Sequence, residues 1–264
     1  MKVALIQFCS AQDKADNLKR ATGMVQEALA QGARFVLLPE VFNFRAGADN
    51  KQILQEAAEP VPGPSVRAFF PLAQKYKACL LLGSIIEKAG AGYAYNTSVV
   101  IDSGGSISAK YRKIHLFDAR LGDKIIREAG SFLPGNKITT VKIGEFRAGL
   151  SICYDVRFPG LYQRYARRGV EVLTVPSCFT KKTGQAHWET LLRARAIENL
   201  AYVLAPAQVG TDGRGIEAHG HSMIVSPWGE VTACGSPKGQ EIVFGQIDLR
   251  EVKKARQSLP GIIK

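Results

Sequence analysis

The chain has 264 residues, 46% hydrophobic and 22% charged, the make-up of a globular protein with a sizeable core rather than a disordered one. Thirty-five Lys and Arg against twenty-three Asp and Glu give +12, but the densest cluster is only Lys110, Arg112 and Lys113, so a solvated basic surface is expected, with no nucleic-acid partner. No run reaches the ~18 apolar residues of a membrane span, and Gln7 interrupts the short apolar start, so no membrane partner is expected and the location read from the sequence is the cytoplasm.

In chain order, residues 3–8 read as a buried strand. Residues 16–31 carry Leu18, Ala21, Val25, Ala28 and Leu29 at helical spacing, with Gly32 as the stop. Phe35-Val36-Leu37-Leu38 reads as a strand closed by Pro39-Glu40. Residues 65–77 follow as a helix that Pro71 kinks or restarts. Strands are expected over 79–86, 97–101 and 107–111, with a turn at Gly104-Gly105.

The second half repeats the theme. A strand over 147–153, a helix over 158–168 and a strand over 170–175 end in Pro176-Ser177, as the earlier unit ends in Pro39-Glu40. A helix over 185–199 precedes strands at 201–208, 221–226, 231–234 and 242–247, with Trp228-Gly229 as a hairpin turn. No linker separates the halves, so residues 1–264 read as one α/β domain: two sheets packed together and covered outside by helices.

The cysteines at 9, 79, 153, 178 and 234 form no CxxC pair and no metal-like spacing, so free thiols and no metal site are expected. The turn after the first strand, Cys9-Ser10-Ala11-Gln12-Asp13, lacks the glycines of a phosphate cradle, and no cofactor is expected. His115, His187, His219 and His221 fall in no thiol-protease motif; His187-Trp188 either lines a pocket or packs beneath it. Cys178, close after Pro176-Ser177, reads as a small buried filler.

Three residues have positions that suit chemistry. Cys153 stands where a strand hands over to a helix, and nearby N–H groups there favour a thiolate. Alone, it reads more readily as a structural cysteine. Glu40 stands at the carboxyl end of a buried strand, where α/β architectures place their sites. Alone, it is equally a solvated loop acid, and Lys113 alone reads as a surface lysine.

Together the stretches carry more. Leu38-Pro39-Glu40, Tyr111-Arg112-Lys113-Ile114-His115-Leu116 and Cys153-Tyr154-Asp155-Val156-Arg157-Phe158-Pro159 resemble, in order and wording, the three motifs of the nitrilase-like carbon–nitrogen hydrolases. The likeness extends through Pro134-Gly135, Val175-Pro176-Ser177, His187-Trp188-Glu189, the segment 193–199 and the segment 220–229. The resemblance implies a four-layer αββα sandwich that pairs through its helices into a homodimer or higher homo-oligomer. It implies Glu40 as general base, Lys113 as the cation beside the oxyanion and Cys153 as nucleophile. Glu128, six residues before Pro134, matches the family's second glutamate, although Arg127-Glu128-Ala129-Gly130 departs from the usual wording. The Tyr154 N–H is the second expected oxyanion donor.

The implied reaction is hydrolysis of a small amide. The wording around Cys153 and Glu40 is most similar to the amidases of deaminated glutathione, and less to the omega-amidases acting on 2-oxo-dicarboxylate monoamides. Nitrile hydrolysis stays open, since the same three residues could attack a nitrile carbon. Arg157, four residues beyond the nucleophile, either grips a substrate carboxylate or forms a salt bridge with an acid such as Asp155.

Overall fold

The apolar run that opens the chain serves two cores. In β1 (Lys2–Gln7), Val3 and Leu5 join a cluster with Ala148 and Leu150, whereas Ala4 and Ile6 join Ala21, Val25 and Ala28. A strand covered on both faces has no polar alternation to show, which is why it reads as continuous hydrophobe. A computed structural model describes residues 1–45, 51–90, 92–121, 124–213 and 215–261.

After β1 come α1 (Lys14–Ala30), β2 (Phe35–Leu37), α2 (Lys51–Ala57), α3 (Pro64–Arg67), α4 (Phe70–Tyr76), β3 (Cys79–Lys88), β4 (Ala94–Ile101) and β5 (Ile107–Arg112). Pro71 sits in the first turn of α4, where its missing N–H costs nothing, so the expected helix over 65–77 is restarted rather than kinked. A hairpin of β6 (Asp118–Leu121) and β7 (Lys124–Arg127) then leads to β8 (Thr140–Ile143) and β9 (Phe146–Leu150). The second half continues with α5 (Pro159–Ala166), β10 (Val172–Thr174), α6 (Lys181–Asn199) and β11 (Tyr202–Ala205). It ends with β12 (Val209–Thr211), β13 (Glu217–His219), β14 (Met223–Val225), β15 (Val231–Cys234), β16 (Glu241–Gln246) and α7 (Leu249–Ser258).

The sheets are β16-β1-β2-β3-β4-β5 and β15-β14-β11-β10-β9-β8. In the first, β1, β2 and β3 run parallel and β4 and β5 return antiparallel; in the second, β9, β10 and β11 run parallel and β14 and β15 return antiparallel. The halves are thus two copies of one plan, as the paired proline-closed strands suggest. Leu37, Leu81 and Val100 of the first sheet share a core with Leu150, Leu173 and Val203 of the second. Helices α1 and α4 cover the outer face of the first sheet through Val25 and Ala73, and α5 and α6 cover the second through Tyr165 and Leu192. This is the expected four-layer αββα sandwich.

Several boundaries differ from the sequence reading. Helix α6 begins four residues earlier than expected, because the Thr180 hydroxyl accepts the Thr183 amide and caps it. The strand expected over 147–153 ends at Leu150, since Cys153 adopts φ +48°. Helix α7 has no counterpart in the sequence reading; only Val252 and Ala255 of it are buried, too thin a stripe to read.

Candidate active site

The carboxyl ends of β2 and β9 and the end of β5 converge where the two sheets meet, at a cavity of about 100 Å³ lined by Glu40, Lys113, Glu128 and Cys153, among others. Each residue is delivered by a local device. Glu40 follows β2 by three residues, and Gly83 on β3 lets that turn come close: a Cβ there would lie 2.0 Å from the Leu38 carbonyl oxygen. Val41, next in sequence, holds φ +49°, and its amide donates to the Ser84 hydroxyl at 2.8 Å. A β-branched residue in that region stores strain of about 1–3 kcal/mol, held by the surrounding structure.

Lys113 leaves the end of β5 with its amide on the Asn96 carbonyl, and its own carbonyl accepts the Gly135 amide, both at 2.8 Å. Its side chain is 1% exposed, so the lysine that alone reads as a surface residue is among the most buried in the protein. Its ammonium donates to Glu40 Oε1 at 2.9 Å and to Glu128 Oε1 at 3.0 Å. Burial pulls Lys113 toward the neutral form, but Glu128 and Glu40 outweigh it and hold its pKa well above the lysine range.

The two carboxyls are themselves oriented. Glu40 Oε1 also accepts from Asn96 Nδ2 at 2.9 Å, Oε2 accepts the Cys178 amide at 2.8 Å, and the Glu40 carbonyl accepts from Gln208. Glu128 Oε2 accepts the Phe117 amide at 2.7 Å. Burial raises the Glu128 pKa against the pull of Lys113, with the charge of Glu40 adding to the rise.

Cys153 opens a short 3-10 turn, Cys153–Arg157, in the left-handed region, a sharp bend from strand to helix that turns its side chain into the cavity. Its amide is tied to the Pro176 carbonyl at 2.9 Å. The thiol shares the cavity with the Glu40 carboxyl and Cys178, whose amide donates to Glu40 Oε2. Burial, together with the Glu40 charge, pushes the thiol well above its ordinary range, against the pull of Lys113. The expected thiolate preference is therefore corrected: desolvation wins over the helix end, and the resting group is a thiol beside an acceptor.

Asp155 fastens the arrangement. Fully buried, it accepts from the Tyr111 hydroxyl at 2.7 Å, the Ile152 amide at 2.9 Å, the His115 amide at 3.0 Å and, at 2.7 Å, is paired with His115 Nδ1. One carboxylate thereby joins the segment carrying Lys113 to the turn carrying Cys153.

One expected substrate contact stands elsewhere. Arg157 meets His187 Nδ1 at 3.2 Å, lies over the rings of Tyr154 and Phe179, and is not among the described residues lining the cavity. The alternative salt bridge to Asp155 does not form either, because Tyr111, Ile152 and His115 take that carboxylate. The Tyr154 ring packs on Phe117 and Phe158, so its contribution to the site is the backbone N–H beside Cys153. Trp188 packs beneath, its indole N–H on the His221 carbonyl at 2.8 Å. Cys178, expected as filler, does line the cavity, and its amide orients Glu40. Sequence reasoning missed Asn96 and Arg45; the signal for Asn96 was a polar residue inside the strand Tyr95-Asn96-Thr97-Ser98, most of which is buried.

Among the described residues no three His, Cys, Asp or Glu side chains gather as metal ligands, and no helix is long and apolar enough to cross a membrane. What remains is an ammonium between two carboxyls, with a thiol beside one of them, in a small cavity.

Comparison with known proteins agrees with this arrangement. The sequence matches the carbon–nitrogen hydrolase family over residues 2–257. It is 42% identical over 260 residues to the Homo sapiens omega-amidase NIT2, covering 98% of this chain and 92% of that one. It is 40% identical over 264 residues to the Rattus norvegicus deaminated glutathione amidase, covering 98% and 80%. The crystal structure of the C. elegans NitFhit protein superposes with a TM-score of 0.91 at 38% identity; the match covers 98% of this chain and 63% of that one, just under two thirds of its length.

Proposed function

The chain belongs to the carbon–nitrogen hydrolase family, and we propose that it is a thiol-dependent amidase of a small linear amide bearing a carboxylate. The observation that carries the reading is the Lys113 ammonium held by Glu40 at 2.9 Å and by Glu128, with the Cys153 thiol facing Glu40.

In the proposed reaction Glu40 takes the Cys153 proton as the sulfur attacks the amide carbon. The Lys113 ammonium and the Tyr154 N–H, in the first turn of the 3-10 helix where it has no intrahelical acceptor, hold the developing oxyanion. A single such donor is worth about 3–4 kcal/mol in the transition state. The intermediate collapses by breaking the C–N bond, and the amine leaves with the proton from Glu40. Water then attacks the thioester, giving its proton to Glu40, and the Cys153 thiol is regenerated. Glu128 holds Lys113 at the site throughout and is a second acceptor for the water proton. The Cys178 and Asn96 contacts fix Glu40 so that its free edge faces sulfur.

Deaminated glutathione and 2-oxoglutaramate, one of the 2-oxo-dicarboxylate monoamides, share one five-carbon acyl unit and differ in the amine released, a dipeptide or ammonia. The small cavity fits that shared acyl unit, and the similarity to relatives named for each substrate keeps both in the reading. The test is release of 2-oxoglutarate by purified protein from 2-oxoglutaramate and from deaminated glutathione. Absence of release from both would remove this substrate class.

We further propose that the chain pairs with itself through the face of α6 that carries Ile197 and the adjoining β14–β15 turn that carries Trp228, residues 43% and 55% exposed. A monomer in sedimentation velocity at micromolar concentration would refute that.

A further inference from the structure

We infer that Arg45 receives the carboxylate of the substrate's acyl chain, an assignment that rests on the amidase reading above. Among the described residues lining the cavity, the cations are Lys113 and Arg45. Lys113 is already held by Glu40 and Glu128, so a substrate carboxylate finds its partner in Arg45.

Arg45 is 4% exposed. Its Nη1 donates to the carbonyls of Val209 and Gly210 at 3.3 and 3.4 Å, and its Nη2 to that of Ile216 at 3.1 Å. These are bonds to neutral acceptors, two of them long, and Nε is buried with no acceptor among the described residues. A guanidinium has five N–H donors in a fork that matches a carboxylate, and leaving one buried and unmet is costly. A carboxylate entering the cavity supplies both the missing acceptor and an opposing charge.

The position suits the chemistry. Arg45 lies five residues beyond Glu40 and is anchored by its amide on the Ala11 carbonyl at 3.0 Å. Arg45, Cys178 and Cys153 line the one cavity, so an acyl chain with its carbonyl at the nucleophile can carry its carboxylate toward Arg45. Asp212 lines the same cavity and accepts the Ile216 amide at 2.9 Å, an acidic neighbour against whose charge the guanidinium must hold the carboxylate. The competing role for Arg45 is to pin the β12–β13 hairpin through its three carbonyl contacts and nothing more.

The test compares Arg45→Gln and Arg45→Lys with the wild type on succinamate and butyramide, which have the same carbon chain with and without the carboxylate. Succinate binding is measured by calorimetry in parallel. The ratio of kcat/KM for succinamate over butyramide should fall about 100-fold in Arg45→Gln, with succinate affinity falling in step, and Arg45→Lys should recover part of both. If Arg45→Gln does not fold, the fall in Arg45→Lys decides. A ratio within threefold of wild type, with both amides losing rate together, leaves only the hairpin role and overturns the assignment. A wild type that binds no succinate and does not prefer succinamate overturns it too, while leaving the amidase reading intact. If neither amide is hydrolysed, the succinate titrations alone decide on Arg45, and the amidase reading is judged on 2-oxoglutaramate and deaminated glutathione.

Discussion

The Tyr111 hydroxyl donates to Asp155 at 2.7 Å, and both side chains are almost wholly buried. Tyr111 is the second-last residue of β5, two before Lys113, and Asp155 lies two beyond Cys153. This bond ties the two halves of the site by a route that touches no reacting atom. Tyr111→Phe keeps the ring and removes the donor. Loss of a hydrogen bond to a buried charged acceptor should lower unfolding free energy by about 1.5–3 kcal/mol in urea titrations. kcat should fall more than KM rises. A variant within 0.5 kcal/mol of wild type (roughly the noise of a neutral surface change) would mean that Tyr111 does not fasten the turn.

The thiol makes a second prediction. Because burial and Glu40 raise the Cys153 pKa, alkylation of Cys153 by iodoacetamide should keep climbing as pH rises through 9. A folded pKa above the unfolded one stabilises below the unfolded value and is lost on titration upward. Conformational stability should therefore decline above pH 9, and Cys178, pushed by burial to about 11, adds to the same slope. Peptide mapping of the label against pH checks this; a plateau below pH 8 would show a resting thiolate instead.

Glu87 is the acid-side counterpart. Burial pushes its carboxyl upward, but Arg112, Lys110 and Thr97 prevail and hold it at about 2. A depressed carboxylate contributes stability that is complete above its unfolded pKa of 4.5 and is lost as pH falls through the folded value. Wild-type stability should thus drop between pH 4.5 and 2, and Glu87→Gln should start lower and show a shallower drop. Parallel acid titrations followed by circular dichroism would expose identical slopes if Glu87 has no such part.

Gly83→Ala tests the approach of β2's closing turn to β3. The added methyl would meet the Leu38 oxygen at 2.0 Å and the Pro39 oxygen at 2.3 Å, so the Glu40 backbone must shift. Misplacement on the order of 1 Å typically costs about 100-fold in rate. A folded variant with wild-type kcat would show that Glu40 tolerates displacement.

How much of this was legible without coordinates depended on the kind of signal. Glu40, Lys113 and Cys153 could be read because each lies within a contiguous motif, and the duplicated plan could be read because Pro39 and Pro176 close equivalent strands. The four-layer sandwich followed from the resemblance and from runs such as Val3 to Ile6, buried on both faces. Arg45 could not be read, since its meaning lies in the loop of the other half that it meets, and Asn96 offered only a polar residue within a buried strand, with nothing to say that it holds Glu40. The Cys178 amide was invisible for a simpler reason: every residue type but proline has one. The thiolate expectation failed because strand-to-helix position predicts nearby N–H groups but not the depth of burial.

The most direct test of the account is intact-protein and peptide mass spectrometry of wild type mixed with 2-oxoglutaramate and quenched in acid within milliseconds. The account predicts one acyl group, gained as ammonia is released and lost to water, mapped to Cys153, removed by hydroxylamine and absent from Cys153→Ala. An acyl group on any other residue, or undiminished hydrolysis by Cys153→Ala, would contradict it.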